Sequence, residues 1–166
     1  MKTSRVGPES SCPVARALYV VGDRWSLLIV RDAFDGITRF GDFVESLGIA
    51  RNVLTSRLLA LGEAGVMTTV PASDGSPYQD YVLTEAGRRL FPLILSLRQW
   101  GEDQLYRPGE PHSRLVERAG GRLVPRQQVL GTEGQILQPE QTAVRKLRSE
   151  GQAVQSQTGV RLPRRG

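Results

Sequence analysis

The sequence predicts a mainly α-helical domain with one small β-hairpin, followed by a basic extension. Apolar residues recur at helical spacing in several short segments between residues 12 and 106. Two β-prone segments flank a turn-rich stretch at residues 71–77, PASDGSP. Residues 1–106 carry eleven Lys/Arg and twelve Asp/Glu, whereas residues 107–166 carry eleven and five. The helical domain is therefore nearly neutral, and the basic excess lies in the extension.

Composition and motifs argue against several classes of protein. With one cysteine, Cys12, and one histidine, His112, we expect no intrachain disulfide, no metal and no cofactor. No apolar run reaches 18 residues and the N-terminus lacks an apolar signal core, so we expect a cytoplasmic protein without a membrane span. There is no GxSxG motif and no phosphate-binding glycine loop. Asp32 and Asp35 have a spacing more typical of a helix end than of a carboxylate pair, so no enzyme is predicted.

The N-terminal part predicts a flexible arm and a first helix. Residues 1–11 are polar and contain Gly7 and Pro8. Cys12-Pro13 then opens a helix to about Val21, because proline suits the first helical position. Backbone N–H groups and the helix dipole can stabilise a thiolate at the position of Cys12. Cys12 is thus a candidate redox or electrophile sensor, or simply a residue at a helix start.

Two further helices follow. Asp23 is a suitable N-cap for Arg24 to Asp35, a segment so apolar on all sides that we expect it to be buried. Gly36 ends this helix. Thr38 can cap a third, short helix from Arg39 to Ser46.

The stretch from Ile49 to Gly65 predicts a helix with two different faces. Leu54, Leu58 and Leu61 recur at i, i+4 and i+7 and share one face. Polar residues lie on another face near the N-terminal end: Arg51, Asn52, Thr55 and Ser56. Alone, this pattern fits a surface helix as well as one that reads DNA, where Arg and Asn pair with guanine and adenine. The short helix before it and the glycine turn at Gly48 favour a helix-turn-helix.

A hairpin and a long helix complete the domain. Strands over Val66–Val70 and Tyr78–Leu83 would form a wing behind the helix-turn-helix. Thr84 can cap a helix from Glu85 to about Tyr106, which we expect Pro92 to bend. Its apolar stripe is broad enough for its own core and a partner: Leu90, Phe91, Ile94, Leu95, Leu97 and Trp100. The predicted fold is a winged helix-turn-helix over residues 12–106.

Several ordered motifs carry a resemblance to a known family. They are Cys12-Pro13, GDRWSLLIVRDAFDG, Arg39-Phe40, IARNVLTSRL, GEAGVM, YVLTEAG from Tyr81, and Trp100-Gly101. In this set the chain resembles the HxlR family of winged-helix transcriptional regulators, relatives of the MarR group. The resemblance implies a homodimer that binds operator DNA, mostly as a repressor, and in some members an oxidant or electrophile response through a cysteine placed like Cys12. It also directs Arg51, Asn52, Thr55 and Ser56 to bases, and Arg39 and Arg57 to phosphates.

Three departures from the family pattern stand out. Ala50 replaces the usual serine, which removes a helix cap. Residues 68–83 contain no Lys or Arg but include Asp74 and Asp80, so insertion of the wing into a minor groove is not expected.

The third departure is the extension, residues 107–149, which resembles a small zinc ribbon without its ligands. We expect one or two short hairpins and no metal there. A basic helix is expected over 139–149, and a disordered tail over 150–166. The extension either adds non-specific DNA affinity or is simply a solvated segment.

The sequence thus predicts a homodimeric, sequence-specific transcriptional repressor that binds an inverted-repeat operator. The alternative is a winged-helix protein-interaction module whose DNA surface has decayed, which the neutral domain, the acidic wing and Ala50 favour. A small-molecule effector is a further candidate partner. Five aromatic residues either line an effector cavity at the dimer interface or belong to the plain core: Trp25, Phe34, Phe91, Trp100 and Tyr106.

Overall fold

The computed structural model describes residues 7–145, which form six α-helices, one two-stranded antiparallel sheet and one short 3₁₀ turn. The helices are α1 (Pro13–Val21), α2 (Arg24–Phe34), α3 (Phe40–Leu47), α4 (Arg51–Glu63), α5 (Glu85–Arg88) and α6 (Phe91–Gln104), and the strands are β1 (Met67–Pro71) and β2 (Gln79–Leu83). The chain divides into two compact units between Gln127 and Gln128. Within the described range, no helix is long and apolar enough to cross a bilayer. Part of the predicted arm and all of the predicted tail lie outside the described residues.

The core of the first unit forms where α2, α3, α4 and β1 meet. Its largest fully buried side chains come from all four elements: Phe43, Ile29, Leu54, Leu61, Met67 and Val30. The leucine face predicted for α4 is confirmed, since Leu54, Leu58 and Leu61 are buried. Burying an aliphatic or aromatic side chain contributes about 1.5–3 kcal/mol. The leucine face therefore fixes α4 to the core and leaves its opposite face to solvent.

The predicted burial of α2 is confirmed in part: this helix packs against α1, α3, α4, α6 and β2, but it is not buried on all sides. Ile29 and Val30 are buried, but Leu27 and Leu28 remain partly exposed. The reason is that α3, α4 and β2 cover one side of α2, whereas α6 contributes no fully buried residue to the other side.

The predicted cap of α3 is also wrong. Arg39 occupies the N-cap position, and Thr38 makes no capping bond. Instead, the carbonyl oxygen of Thr38 accepts a hydrogen bond of 2.8 Å from the backbone N–H of Tyr81. Thr38 therefore helps to hold β2 against the helix-turn-helix.

The predicted single bent helix after Thr84 is two helices. α5 ends at Arg88, and α6 begins at Phe91 with Pro92 in its first turn. Proline has no N–H to donate to the carbonyl of Arg88, and its ring clashes with that carbonyl in a continuous helix. Because the helix breaks after Arg88 and a new helix begins at Phe91, Pro92 lies in the first helical turn, where proline is well tolerated.

The hairpin β1–β2 pairs Met67 with Leu83 and Pro71 with Gln79. Its base is joined to α5 by Thr84, whose hydroxyl donates to the carbonyl of Gly65 at 2.6 Å and accepts from the N–H of Gly87 at 3.1 Å. The wing is thus attached at its base to the start of α5.

The extension forms two narrow hairpins, each closed by a single bridge. In the first unit Val116 pairs with Leu123, and in the second Leu130 pairs with Ile136. The first hairpin is bonded to α6, where Arg126 reaches Glu102 at 2.9 Å and Asp103 at 2.7 Å.

The basic helix predicted over 139–149 is wrong where the structure describes it. Only a 3₁₀ turn forms at Pro139–Gln141, and Thr142 is already extended. Val144 is 87% exposed, so this stretch has no packed face to support a helix. The remainder of that prediction, from residue 146, lies outside the described residues.

Candidate nucleic-acid interface

A tight turn sets the angle between α3 and α4. Gly48 ends α3 with φ +58°, a left-handed conformation that glycine adopts without strain. Ile49 follows and is buried, which anchors the turn in the core. The two helices and this turn have the order of a helix-turn-helix, with α4 as the second helix.

The four residues predicted to face DNA bases lie on one exposed edge of α4. Arg51, Asn52, Thr55 and Ser56 are all exposed, in the first two turns of the helix. The Arg51 guanidinium lies 5.8 Å from the ring centre of Phe40, within the range of a cation–π contact. Thr55 Oγ1 donates to the Arg51 carbonyl at 2.9 Å. Because the hydroxyl proton of Thr55 is used in this bond, Thr55 can present only an oxygen lone pair and a methyl group to a DNA base.

The first turn of α4 has no side-chain cap. Ala50 occupies the N-cap position, as the sequence predicted. Replacing a serine-type cap by alanine costs about 1 kcal/mol. The free N–H groups of this turn nevertheless suit an anion such as a phosphate oxygen.

Arg57 joins α4 to the start of α2. Its Nε lies 3.3 Å from Oδ1 of Asp23. The same carboxylate caps α2 by accepting from the N–H groups of Trp25 and Ser26 at 3.0 and 3.1 Å. Partial burial raises the pKa of Asp23, but the hydrogen bonds from Ser26, the charge of Arg57 and the Trp25 bond outweigh it and lower that pKa below 3.8. The Arg57 side chain is half-exposed, and within residues 7–145 only its Nε is ion-paired, so its two terminal nitrogens remain available for a phosphate.

Arg39 is bound by the wing. Its Nη2 lies 2.7 Å from Asp74 and its Nε 2.9 Å from Asp80, while Nη1 donates to Ser76 Oγ at 3.3 Å. We call these four residues the wing clamp. Hydrogen bonds from Ser76 and then from Arg39 lower the pKa of Asp74 to about 2. A phosphate contact by Arg39 would have to replace one of these partners, which the sequence did not indicate.

Cys12 is exposed at the N-cap of α1. Its backbone N–H donates to Ser10 Oγ at 3.2 Å.

Within one chain, the five predicted pocket aromatics do not meet in one cavity. Phe34 and Phe91 form an edge-to-face pair with ring centres 5.3 Å apart. Trp25 packs against the core, and Trp100 is 59% exposed. Tyr106 lines a separate cavity, which the sequence did not indicate because only the fold brings α2 beside α6 and the segment after it.

Comparison with known proteins agrees with this geometry. The profile of the family described as HxlR-like helix-turn-helix matches residues 20–108. An uncharacterised HTH-type transcriptional regulator of Mycobacterium tuberculosis, Rv3095, is 47% identical over 116 residues, which are 67% of this chain and 73% of Rv3095.

Two solved structures extend the comparison. PA1607, described as a proposed transcription factor, is 56% identical with a TM-score of 0.80, and the match covers 87% of this chain and 99% of PA1607. The redox regulator HypR in its reduced form is 32% identical with a TM-score of 0.52, over 57% of this chain and 94% of HypR.

Proposed function

This chain belongs to the HxlR-like helix-turn-helix family, whose relatives here are transcriptional regulators and not enzymes, and on that basis we propose that it is a sequence-specific, homodimeric repressor. The observation that supports this most is the exposed edge of α4. Arg51 and Asn52 combine there with Thr55 and Ser56, on a helix whose other face is buried. This edge has the residue types that discriminate bases in a major groove.

Two exposed apolar faces support the homodimer. On α1 they include Val14, Leu18 and Tyr19, and on α6 Leu97 and Trp100. Apolar side chains exposed together on one helix face are a feature of protein interfaces. A two-fold dimer would place two copies of α4 about 34 Å apart, in successive major grooves of an inverted repeat. Occupation of that operator would block transcription.

Substitution of two arginines on α4 tests the assignment. Arg51→Ala should lose about 1–3 kcal/mol on the operator and relax specificity, because it removes a base contact. Arg57→Ala should weaken binding to all sequences and lower the salt slope by about one, because it removes a phosphate contact. Affinities for operator and random DNA over a range of salt concentrations measure both effects. Equal losses on both DNAs for both variants would contradict the roles proposed here.

Cys12 is the second part of the proposal. Its exposure at a helix start and the likeness to the redox regulator HypR support a response to oxidants. A peroxide would convert the thiolate to a sulfenic acid, with transfer of one oxygen to sulfur and release of water or alcohol. We expect peroxide to reduce operator binding of the wild type, and Cys12→Ser to abolish that response without changing affinity under reducing conditions. A variant that still responds fully would exclude Cys12 as the sensor.

The alternative function remains a winged-helix interaction module. The commitment of Arg39 to the wing clamp favours it, because one predicted phosphate contact is occupied. Such a module would not bind DNA even at low salt.

For the extension we propose a ligand-free relative of a zinc ribbon. Glycines with positive φ at Gly120, Gly121 and Gly134 support this reading, because tight knuckle-like turns need that conformation. Residues 128–166 carry six Lys/Arg and three Asp/Glu, so this part would add non-specific DNA affinity.

A further inference from the structure

One leucine of α4 lies outside the buried face of this helix. The side chain of Leu59 is 63% exposed, whereas Leu54, Leu58 and Leu61 are buried. Because an α-helix turns by about 100° per residue, Leu58 can face the core while the next residue faces away from it. Leu59 is therefore not part of the cluster of apolar side chains that fixes α4.

Leu59 shares the exposed edge of α4 with the residues proposed to face DNA bases. From helix geometry, Leu59 lies about 20° around the axis from Asn52 and about 40° from Thr55. Ser56 lies about 60° away, on the opposite side from Thr55. All four side chains are exposed. Leu59 thus stands in the middle of this edge, one helical turn after Thr55 and two turns after Asn52.

Thr55 adds a second apolar group to the same edge. Its hydroxyl proton is used in the hydrogen bond of 2.9 Å to the carbonyl oxygen of Arg51, which leaves its methyl group as an apolar contact surface. Side chains four residues apart are neighbours on a helix, with Cβ atoms about 5–6 Å apart. Thr55 and Leu59 therefore form a small apolar patch among polar residues.

The surroundings of this patch suit DNA better than a second protein. Leu59 is the one large apolar side chain exposed on α4, a helix that the structure describes in full. A protein interface would need a broader apolar surface. One turn beyond Leu59, the carboxylate of Glu63 is exposed, and phosphates would repel it. The part of this edge that can approach DNA therefore ends at Leu59.

The major groove offers one kind of partner to an aliphatic side chain. Leucine has no charge for a phosphate and no group that can form hydrogen bonds with base edges. The 5-methyl group of thymine is the apolar group in the major groove, and apolar side chains pack against it. Removal of both apolar surfaces from water favours this contact.

We propose that Leu59 reads thymine, by packing against the 5-methyl group of one thymine in each half-site with the methyl group of Thr55 beside it. The inference rests on the proposed DNA binding through α4 and adds the identity of one base to it. Asn52 would read its base by hydrogen bonds near the start of the helix. Leu59 would read a different base by apolar contact, about 10 Å further along the helix axis.

Replacement of thymidine by deoxyuridine tests this contact, because it removes only the 5-methyl group. The operator is first located by a footprint, and each duplex then carries the replacement at one pair of symmetry-related positions. At one such pair we expect the wild type to bind about fourfold more weakly per half-site, as for the loss of one buried methyl group. The salt slope should not change, because no charge is lost.

Leu59→Ala tests whether Leu59 makes the contact. The variant should keep the wild-type melting temperature, because Leu59 is exposed and alanine favours a helix. It should bind the thymidine operator as weakly as the wild type binds the deoxyuridine operator, and it should distinguish the two operators by less than about twofold. Leu123→Ala is the matched control, because Leu123 is 58% exposed and lies in the first hairpin of the extension. It should retain the affinity and the discrimination of the wild type.

Two results would overturn the reading of thymine by Leu59 and leave the proposed function intact. One is a wild type that binds the operator but is indifferent to deoxyuridine at every thymidine. The other is a Leu59→Ala variant that discriminates as well as the wild type, and loss of discrimination in Thr55→Ser would then assign the methyl contact to Thr55. A wild type that binds no DNA even at low salt would contradict the proposed function itself, and this inference with it.

Discussion

The guanidinium of Arg39 fastens the wing to the helix-turn-helix. It stands at the N-cap of α3 and is bound to Asp74, Ser76 and Asp80 in the wing. Asp80 is buried, whereas Asp74 is mostly exposed. A single exposed ion pair is weakly stabilising, but this one belongs to a network that uses every nitrogen of one guanidinium. The acids of the wing therefore fix its position instead of approaching DNA.

The titration of Asp74 tests the wing clamp. The pKa of Asp74 is about 2 in the folded chain, against an ordinary value of 3.8. Because the folded value is the lower one, the contribution of Asp74 to the clamp is present above about pH 4 and is lost as the pH falls toward 2. The chemical shift of the side-chain carboxyl carbon should therefore titrate with a midpoint near 2.

Ser76→Ala provides the control for that titration. The hydrogen bonds from Ser76 are the largest cause of the lowered pKa of Asp74, so their partial loss should move the midpoint up toward 3.8. A wild-type midpoint already near 3.8 would show that the clamp is not formed in solution.

At this scale the sequence predicted the identity of the exposed residues on α4 but not the partners of Arg39 and Arg57. The first depends on helical periodicity within a few residues of Leu54 and Leu58, which is visible locally. The second depends on distant chain segments, since Ser76 is 37 residues beyond Arg39. Nothing in the local pattern distinguishes an arginine that binds a phosphate from one that binds a neighbouring loop.

Among the elements, the wing and α5 meet at a close backbone contact. A Cβ at Gly87 would lie 2.1 Å from the carbonyl oxygen of Val66, which is a backbone atom and cannot rotate away. Gly62 is also helical, but a Cβ there meets no atom within 4 Å. The backbone around Gly87 thus leaves no room for a side chain, whereas Gly62 has room for one.

Alanine substitutions at these two positions test the junction. Gly87→Ala should lower the free energy of unfolding by about 1–3 kcal/mol, because the wing must shift away from α5. Gly62→Ala should raise it by up to about 1 kcal/mol through better helix propensity. Urea unfolding of both variants measures the difference. A Gly87→Ala variant as stable as the wild type would mean that the wing does not pack closely on α5.

Element boundaries were predictable where a local signal decided them. Asp23 caps α2 as predicted, because its carboxylate needs only the next two or three N–H groups. Thr38 does not cap α3, because its carbonyl oxygen accepts a hydrogen bond from Tyr81 of the hairpin instead. Pro92 was recognised as a disturbance, but whether a proline bends or divides a helix depends on the packing around it.

At the scale of the whole molecule, α1 and α6 expose apolar faces that no other part of the described chain covers. α6 contributes no fully buried residue, although its sequence has the stripe of a core helix. The sequence predicted a stripe broad enough for a partner, and Leu97 and Trp100 of this stripe are exposed in the single chain. Periodicity reveals an apolar face but cannot say whether the same chain or a second copy covers it.

A nuclease footprint on the DNA upstream of its own gene tests the central claim most directly. A homodimer that reads DNA through α4 should protect two inverted half-sites centred about one helical turn apart, and Arg51→Ala should lose this protection at the same protein concentration. Absence of any protection at low salt, where even non-specific contacts are strong, would contradict the account and favour the interaction module.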